Sequence, residues 1–333
     1  MEIVNKPYAK AFEDFAKDKE EILCISADLD SSCEIDGFRD RYPHKFISMG
    51  MAEQNMMSFS GGLGLAGFRP FIHSFGVFTY RRPYDQLVAS IAYPRRKARI
   101  MGFLPGITTP GGMTHQAIED ISVMRTLPNM TVLETGDATE VESICEVADS
   151  IDGPVYCRML RGSVPRLFKT PLQIGKLRTL SEGKDILVFT SGICTEEAIR
   201  ARSALKKFGI AIKHIHVSTL KPINEELFLS LISEAKSGII SMENHLVNGG
   251  LGSIVSDIIS KYGIGKKLIK LGLQDTYAHG GSKGYLSRYY NLDALALIKS
   301  IENLTNTKTN IQEVDLNEAR IDDVHSLSKA EAL

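Results

Sequence analysis

Residues 50–85 read GMAEQNMMSFSGGLGLAGFRPFIHSFGVFTYRRPYD, and this stretch decides how the rest of the chain is interpreted. One carboxylate, Glu53, precedes an apolar, glycine-rich run, and an aromatic-rich segment with the basic pair Arg81 and Arg82 follows. A carboxyl group in apolar surroundings is costly to ionise, so Glu53 could hold or share a proton near neutral pH. The alternative is a first-turn glutamate that complements a helix N-terminus. The local pattern leaves both interpretations open.

Short apolar runs of strand length recur on both sides of this stretch, separated by segments with helical periodicity. Strands buried on both faces and alternating with helices predict an α/β protein with mainly parallel sheets. Pro165, Pro171 and Gly175 interrupt this rhythm, and a second α/β series follows. We therefore predict a first domain over 1–170, a linker over 171–184, a second domain over 185–304 and a polar tail over 305–333.

Composition excludes several classes of partner. Apolar residues make up 43% of the 333 residues and the formal net charge is -1, which is typical of a soluble globular protein and gives no electrostatic reason to expect nucleic acid or a membrane surface. No apolar run reaches the roughly 18 residues of a membrane span, and the first residues do not resemble a signal peptide. The five cysteines form no CxxC pair, so we expect reduced thiols in a cytoplasmic protein.

Two glycine-rich motifs could each be a ligand-binding loop or a purely structural feature. Gly62, Gly64 and Gly67 spell GxGxxG, but the run lies within a predicted helix and a strand follows it, whereas a dinucleotide fingerprint needs the opposite order. We therefore interpret these glycines as packing residues, with Gly67 ending the helix. The sequence GGLG (249–252) opens a helix after a predicted strand, which fits an anion site or, preferably, a tight strand-to-helix turn.

The segment 105–120, PGITTPGGMTHQAIED, is predicted to be a loop running into a helix. Thr114 is a suitable N-cap, which would place His115 in the first helical turn. A neutral histidine there could give or take a proton at physiological pH, or could be merely structural. No second histidine or cysteine lies beside His115 at ligand spacing, and we predict no metal site within this chain.

Several motifs taken together resemble the C-terminal half of transketolases. They are Asp28 in SADL, GMAEQN, FGVFTYRRPYDQ, THQAIED, LPNMTV, and ENH with GGLG. The resemblance extends over roughly residues 5 to 304 and implies a pyrimidine-binding domain followed by a transketolase C-terminal domain. The order of the AEQN and THQ motifs makes it specific.

The resemblance implies thiamine diphosphate as the cofactor. Glu53 matches the glutamate that hydrogen-bonds the N1′ nitrogen of the aminopyrimidine, and holding a proton there favours the tautomer that activates the thiazolium. Phe75 and Phe78 match aromatic residues that pack on the pyrimidine ring. Asp28 and Arg81 match positions beside the cofactor. These four side chains and Glu53 are the predicted cofactor-binding residues.

The substrate side is implied less fully. His115 matches a histidine that handles substrate hydroxyl protons, and Ser32 and Arg161 match positions that bind the distal end of the sugar. Relatives commonly have an aspartate where this chain has Gly111, and transketolase proper has a histidine where this chain has Phe103. The family's phosphate-binding arginine near the N-terminus has no clear counterpart in NKPYAKAF. These departures favour a modified sugar, for example one that is deoxygenated or has another anionic group.

The chain lacks the GDG and Asn-Asn motif with which this cofactor class binds diphosphate and Mg²⁺. The resemblance therefore implies a partner in an α2β2 assembly: an N-terminal transketolase subunit, which mainly binds the Mg²⁺ (or Ca²⁺ or Mn²⁺) ion. Its expected activity is that of a transferase moving a two-carbon ketol unit from a ketose, phosphorylated or otherwise modified, to an aldose. Two alternatives remain: a β subunit of a 2-oxo acid dehydrogenase E1 component, and a non-catalytic scaffold subunit.

Overall fold

Two α/β domains follow one another along the chain, as predicted. The structure is a computed structural model that describes residues 2–183 and 186–316. The elements of its first part are β1 (Ile3–Asn5), α1 (Pro7–Ala16), β2 (Ile22–Ser26), α2 (Asp36–Arg41), β3 (Phe46–Ser48), α3 (Glu53–Leu65), β4 (Arg69–Phe75), α4 (Gly76–Tyr80), α5 (Tyr84–Gln86), β5 (Arg99–Phe103), α6 (Asp120–Thr126), β6 (Thr131–Glu134), α7 (Ala138–Asp149), β7 (Val155–Met159) and β8 (Ser163–Pro165).

The second part repeats the alternation of strand and helix. Its elements are β9 (Leu177–Ser181), β10 (Ile186–Thr190), α8 (Cys194–Lys206), β11 (Ile212–Val217), β12 (Thr219–Lys221), α9 (Glu225–Glu234), β13 (Gly238–Leu246), α10 (Leu251–Lys261), β14 (Leu268–Leu273), α11 (Lys283–Tyr289) and α12 (Ala294–Thr305). Every strand predicted from an apolar run is present. The strand pair β1 and β8, the strands β9 and β12, and the helices α2, α4 and α11 were not predicted.

The first sheet has seven strands in the order β12-β6-β7-β5-β4-β2-β3, and the second has five in the order β14-β13-β10-β11-β9. Both are mainly parallel, with an antiparallel strand at one edge: β12 pairs with β6, and β9 pairs with β11. The edge strand β12 comes from the second half of the chain, so the two domains share hydrogen bonds. Parallel strands β2, β4 and β5 end at the same edge, where ligands bind in open α/β sheets.

The glycine-rich run 61–67 is structural, as predicted. Helix α3 ends at Leu65, Gly67 has a φ of +95°, and the Phe68 amide donates to the Leu63 carbonyl over 3.0 Å. A side chain at Gly61 would collide with the backbone of Ser90, because its Cβ would lie 2.4 Å from the Ser90 carbonyl oxygen. The run therefore lets α3 pack closely on its neighbour and then ends the helix.

The preferred interpretation of GGLG is also confirmed. The carboxylate of Glu243 accepts hydrogen bonds from the amides of Leu251 and Gly252 at 2.6 and 2.8 Å, and so satisfies the first turn of α10. A Cβ at Gly250 would lie 1.9 Å from the Glu243 carboxylate. The helix N-terminus that could have bound an anion is filled by the chain's own acid.

The predicted helix beginning near Thr114 is wrong. Gly112–Thr114 forms a single 3-10 turn, and α6 begins only at Asp120. The intervening backbone is irregular: Ala117 forms a bridge with Pro105, and the carbonyls of Met113 and Gln116 accept hydrogen bonds from the Arg81 side chain rather than from helical amides. Thr114 is therefore not an N-cap, and His115 lies on a loop.

All five cysteines are buried, as predicted, and none of them forms a disulfide bond. Within 2–183 and 186–316, no helix has both the length and the apolar character needed to cross a membrane. The predicted tail over 305–333 is described only as far as Leu316, where Ile311 and Leu316 pack in the core of the second domain; residues 317–333 lie outside the described part.

Candidate active site

Glu53 is the first residue of α3, and its side chain is only 5% exposed. It therefore lies at a helix N-terminus and is also buried. Its Oε1 accepts a hydrogen bond from Nη1 of Arg82 at 2.6 Å. The Arg82 side chain is 50% exposed, so this ion pair joins a buried acid to a base that reaches solvent.

Phe75 and Phe78 form an aromatic wall beside this ion pair. Their rings are stacked with centroids 5.9 Å apart. The ring of His115 contacts both edge-on, with centroid distances of 6.2 Å to Phe75 and 5.4 Å to Phe78. The guanidinium of Arg82 lies over the Phe78 ring, 4.1 Å from its centroid, in the geometry of a cation–π contact. Residues distant in sequence therefore form one site.

His115 has both a hydrogen-bonding and an electrostatic partner. Its Nδ1 lies 2.8 Å from the hydroxyl of Thr114. Partial burial, followed by the nearby positive charge of Arg82, lowers the pKa of His115 below its ordinary value. The ring is therefore neutral at physiological pH and able to accept a proton. Gly111 packs against it, since a Cβ there would lie 3.0 Å from Cβ and Cγ of His115.

Arg81 faces the loop that bears His115. Its Nε and Nη2 form a bidentate pair with Glu119 at 2.6 and 2.7 Å, and the same guanidinium donates to the carbonyls of Met113 and Gln116. These bonds fix the loop on either side of His115. The predicted contact of Arg81 with a cofactor stays a prediction; in the structure this side chain positions the loop.

The second domain clamps the start of the same loop through the ENH motif. Asn244 donates from Nδ2 to the carbonyl of Pro105 at 2.9 Å and accepts from the amide of Ile107 at 3.0 Å. Gly106, with a φ of +57°, leaves room for this amide, because a Cβ would lie 2.2 Å from its oxygen. The motif therefore holds the loop in position.

The remaining predicted residues occupy three places. Asp28 is exposed, just beyond the carboxyl end of β2, with a φ of +61°. Ser32 and Arg161 are brought together, because Nη1 of Arg161 donates to the Ser32 carbonyl at 2.9 Å. Phe103 is fully buried in the core, with its ring centroid 5.3 Å from that of Tyr8.

Arg82 is the site residue that the sequence interpretation missed. It was named only as half of a basic pair, yet it contacts Glu53 and Phe78 and influences the pKa of His115. The available signal was spacing, since Phe78 and Arg82 are four residues apart and lie on one face of a helical turn.

The site fits one part of thiamine diphosphate. A buried carboxylate beside stacked aromatic rings suits a flat, nitrogen-containing ring that needs a hydrogen bond at its edge. For the diphosphate and its metal ion the chain offers less: among the residues the structure describes, no three histidine, cysteine, aspartate or glutamate side chains converge as ligands.

The fold and the site together define a class: two-domain α/β proteins whose acid, aromatic wall and loop histidine gather at the carboxyl end of a parallel sheet. The family model of the transketolase pyrimidine binding domain matches residues 4–166, and that of the transketolase C-terminal domain matches residues 175–296. The chain belongs to the transketolase family, which implies dependence on thiamine diphosphate.

Three similar proteins match this chain over nearly their whole length. A putative transketolase C-terminal section from Methanocaldococcus jannaschii is 32% identical, covering 90% of this chain and 95% of the relative. The 6-deoxy-6-sulfo-D-fructose transketolase subunit SqwH from a Clostridium species is 33% identical, covering 90% and 94%. A solved split-gene transketolase, described as an inactive β4 tetramer, superimposes with a TM-score of 0.81 at 33% identity, covering 91% of this chain and 98% of that one.

Proposed function

We propose that this chain is the C-terminal subunit of a heteromeric transketolase, a transferase that moves a two-carbon ketol unit from a ketose to an aldose. The carrying observation is the contact network of buried Glu53, the rings of Phe75 and Phe78, and neutral His115. Bound thiamine diphosphate supplies the electron sink for breaking the carbon–carbon bond. Glu53 holds a proton at the edge of the pyrimidine, and His115 exchanges protons with substrate hydroxyls.

The diphosphate end and its metal ion belong, in this proposal, to an N-terminal subunit in an α2β2 assembly in the cytoplasm. Exposed apolar residues around α3 support a partner at this surface: Met51 is 80% exposed, Leu65 69% and Tyr93 83%. The related split-gene transketolase is described as an inactive β4 tetramer. Such a surface fits a subunit that covers Glu53 and completes the site.

We propose a modified ketose as the donor. Gly111 provides no carboxylate beside His115, and Phe103 is committed to the core, so neither can hydrogen-bond a sugar hydroxyl. The relative SqwH is named for a 6-deoxy-6-sulfo-fructose substrate. In this proposal Arg161, together with Ser32, faces the distal anionic group of the sugar.

The test is reconstitution of this chain with the neighbouring gene product that has the GDG and Asn-Asn motif. Ketol transfer is measured with phosphorylated, deoxygenated and sulfonated ketoses, with and without the partner. Glu53→Gln should lower kcat by about 10² to 10⁴, the usual contribution of a positioned proton-transfer group. Glu225→Gln is the matched control, because Glu225 also opens a helix but has a side chain that is 38% exposed and pairs with Lys261.

The outcomes separate the alternatives. Turnover by this chain alone would refute the split site. Decarboxylation of 2-oxo acids without ketol transfer would assign the chain to the E1 β subunits. A reconstituted activity that Glu53→Gln leaves unchanged would indicate a scaffold subunit.

A further inference from the structure

Arg82 makes two contacts that a cofactor's aminopyrimidine would also need. Its flat guanidinium lies over the Phe78 ring at 4.1 Å, and its Nη1 donates to Oε1 of Glu53 at 2.6 Å. A protonated aminopyrimidine is likewise a flat, delocalised group that stacks on an aromatic ring and donates one hydrogen bond to this acid. Arginine is the side chain best suited to imitate it, because its charge is spread over a plane.

We infer that Arg82 is an internal competitor of the cofactor: its guanidinium occupies the pyrimidine position on Glu53 and Phe78 and leaves when thiamine diphosphate binds. This inference rests on the proposed function. The side chain is 50% exposed, so it can turn into solvent without disturbing the core. Binding of the pyrimidine is then opposed by the ion pair and the cation–π contact that it replaces.

The neighbouring arginine shows that this role is specific to one position. Arg81 is held by the carboxylate of Glu119 and by two loop carbonyls, so it is tied to the loop and is not available to Glu53. Among the residues that the structure describes, the one anionic partner of Arg82 is Glu53. The two adjacent arginines therefore have different roles. Arg81 positions the loop that bears His115, and Arg82 controls access to Glu53.

Competition also links cofactor loading to assembly. Without the partner subunit, the pyrimidine has to displace a contact of similar geometry and charge. A partner subunit that binds the diphosphate contributes additional binding free energy, which favours that exchange. Loading is consequently favoured only after the two subunits have met. Once Arg82 has moved away, His115 loses a nearby positive charge, which gives the exchange a second observable consequence.

The opposite arrangement is cooperative binding. Glu53 has two carboxylate oxygens, and Arg82 uses only Oε1. If the pyrimidine took Oε2 while Arg82 remained in place, Arg82 would help to hold the cofactor, and its removal would weaken binding. The two arrangements thus predict effects of opposite sign.

The experiment is isothermal titration of thiamine diphosphate, with Mg²⁺ present, into the complex of this chain with its N-terminal subunit. We expect Arg82→Ala to lower the Kd about 3- to 10-fold, the loss of one half-exposed ion pair and one cation–π contact as competitors. Arg82→Lys should have an intermediate effect, since it keeps the charge but not the flat stack. Lys97→Ala is the control, because Lys97 is also 50% exposed and pairs with Asp152.

Tighter binding by Arg82→Ala with an unchanged Lys97→Ala supports the inference. An unchanged or raised Kd for Arg82→Ala overturns it while wild-type binding leaves the proposed function standing. If wild-type and variant complexes all fail to bind thiamine diphosphate, the proposed function falls and the inference falls with it. Melting curves of each variant, compared with the wild type, establish that every protein titrated is folded, and Arg82→Lys provides the test if Arg82→Ala is not.

Discussion

Two clusters of ionisable side chains lie close to the same loop and differ in nearly every other respect. The open cluster is Glu53, Arg82 and His115, and the sealed cluster is Asp120, Glu134 and Arg158. Arg158 is fully buried; it bonds Asp120 through Nε and Nη2 at 2.8 and 3.1 Å and Glu134 through Nη1 at 2.7 Å. In the open cluster, Arg82 instead reaches solvent and pairs with one acid, Glu53, within the described part of the chain.

Both clusters pair an arginine with an acidic side chain, and they differ in how many hydrogen-bonding and ionic partners the arginine has. Arg158 also donates from Nη2 to the carbonyls of Ala117 and Asn244 at 2.8 and 2.9 Å, so it joins the His115 loop to the second domain. A buried charge with this many partners fixes a structure, because any rearrangement leaves a charge unpaired. A half-exposed charge with one partner can be exchanged for a ligand. The sealed cluster therefore holds the geometry within which the open cluster acts.

The largest expected effect comes from breaking the sealed cluster. Arg158→Met leaves Asp120 and Glu134 buried without a counter-charge, and should lower the free energy of unfolding by about 3 to 5 kcal/mol. Urea unfolding followed by circular dichroism measures this. Lys97→Ala, an exposed cation, should change stability by less than about 0.5 kcal/mol. An equal effect of the two variants would contradict the distinction between the clusters.

Asn244→Ala should have the next largest effect, since it removes both hydrogen bonds of the clamp on Pro105 and Ile107. We expect a loss of about 1 to 3 kcal/mol, because the buried carbonyl and amide are left without partners. Asn303→Ala, on the exposed side of α12, is the control in the same urea experiment. A neutral result would mean that the sealed cluster alone fixes the loop.

Gly111→Ala probes the open cluster directly. Its φ of -70° suits alanine, so strain is not expected, but the new Cβ would lie 3.0 Å from His115 and displace its ring by a few tenths of an ångström. In the reconstituted enzyme we expect kcat/KM to fall about tenfold with little change in melting temperature. Gly265→Ala is the matched control, because its Cβ would meet nothing within 4 Å. A loss of stability without a loss of activity would argue against a role for His115.

Most of the fold follows from local pattern. The mainly apolar runs 98–103 and 155–160 became strands β5 and β7, in which every residue is buried, including Arg99 and Arg158. Strand β12 was not predictable in this way: three residues from the second half pair with β6, and only tertiary structure creates that contact. Helix α11 was missed because KGYLSRY has few apolar residues at helical spacing.

The site was predictable to the extent that motifs name residue types. Glu53, the aromatic pair and His115 were identified, but the loop around His115 was assigned to a helix. That error arose because propensity does not include long-range bonds: Arg81 holds the Met113 carbonyl, and Asn244 holds the start of the loop from another domain. A linear motif also does not show that Arg81 binds the loop while Arg82 binds Glu53, because this depends on the three-dimensional geometry.

The smallest expected effect is on the titration of His115. Burial and the charge of Arg82 hold its pKa below the ordinary value, so the ring stays neutral until the pH falls below that lowered pKa. Arg82→Ala removes one of these two causes and should raise the pKa, so the acid limb of any activity that needs neutral His115 moves to higher pH. Proton NMR of the His115 Cε1 proton, assigned with His115→Asn, measures the shift, and Lys97→Ala should not produce it. An unchanged pKa would mean that burial alone sets the protonation of His115, and the open cluster would then be two independent parts, an ion pair and a loop histidine, rather than one electrostatic unit.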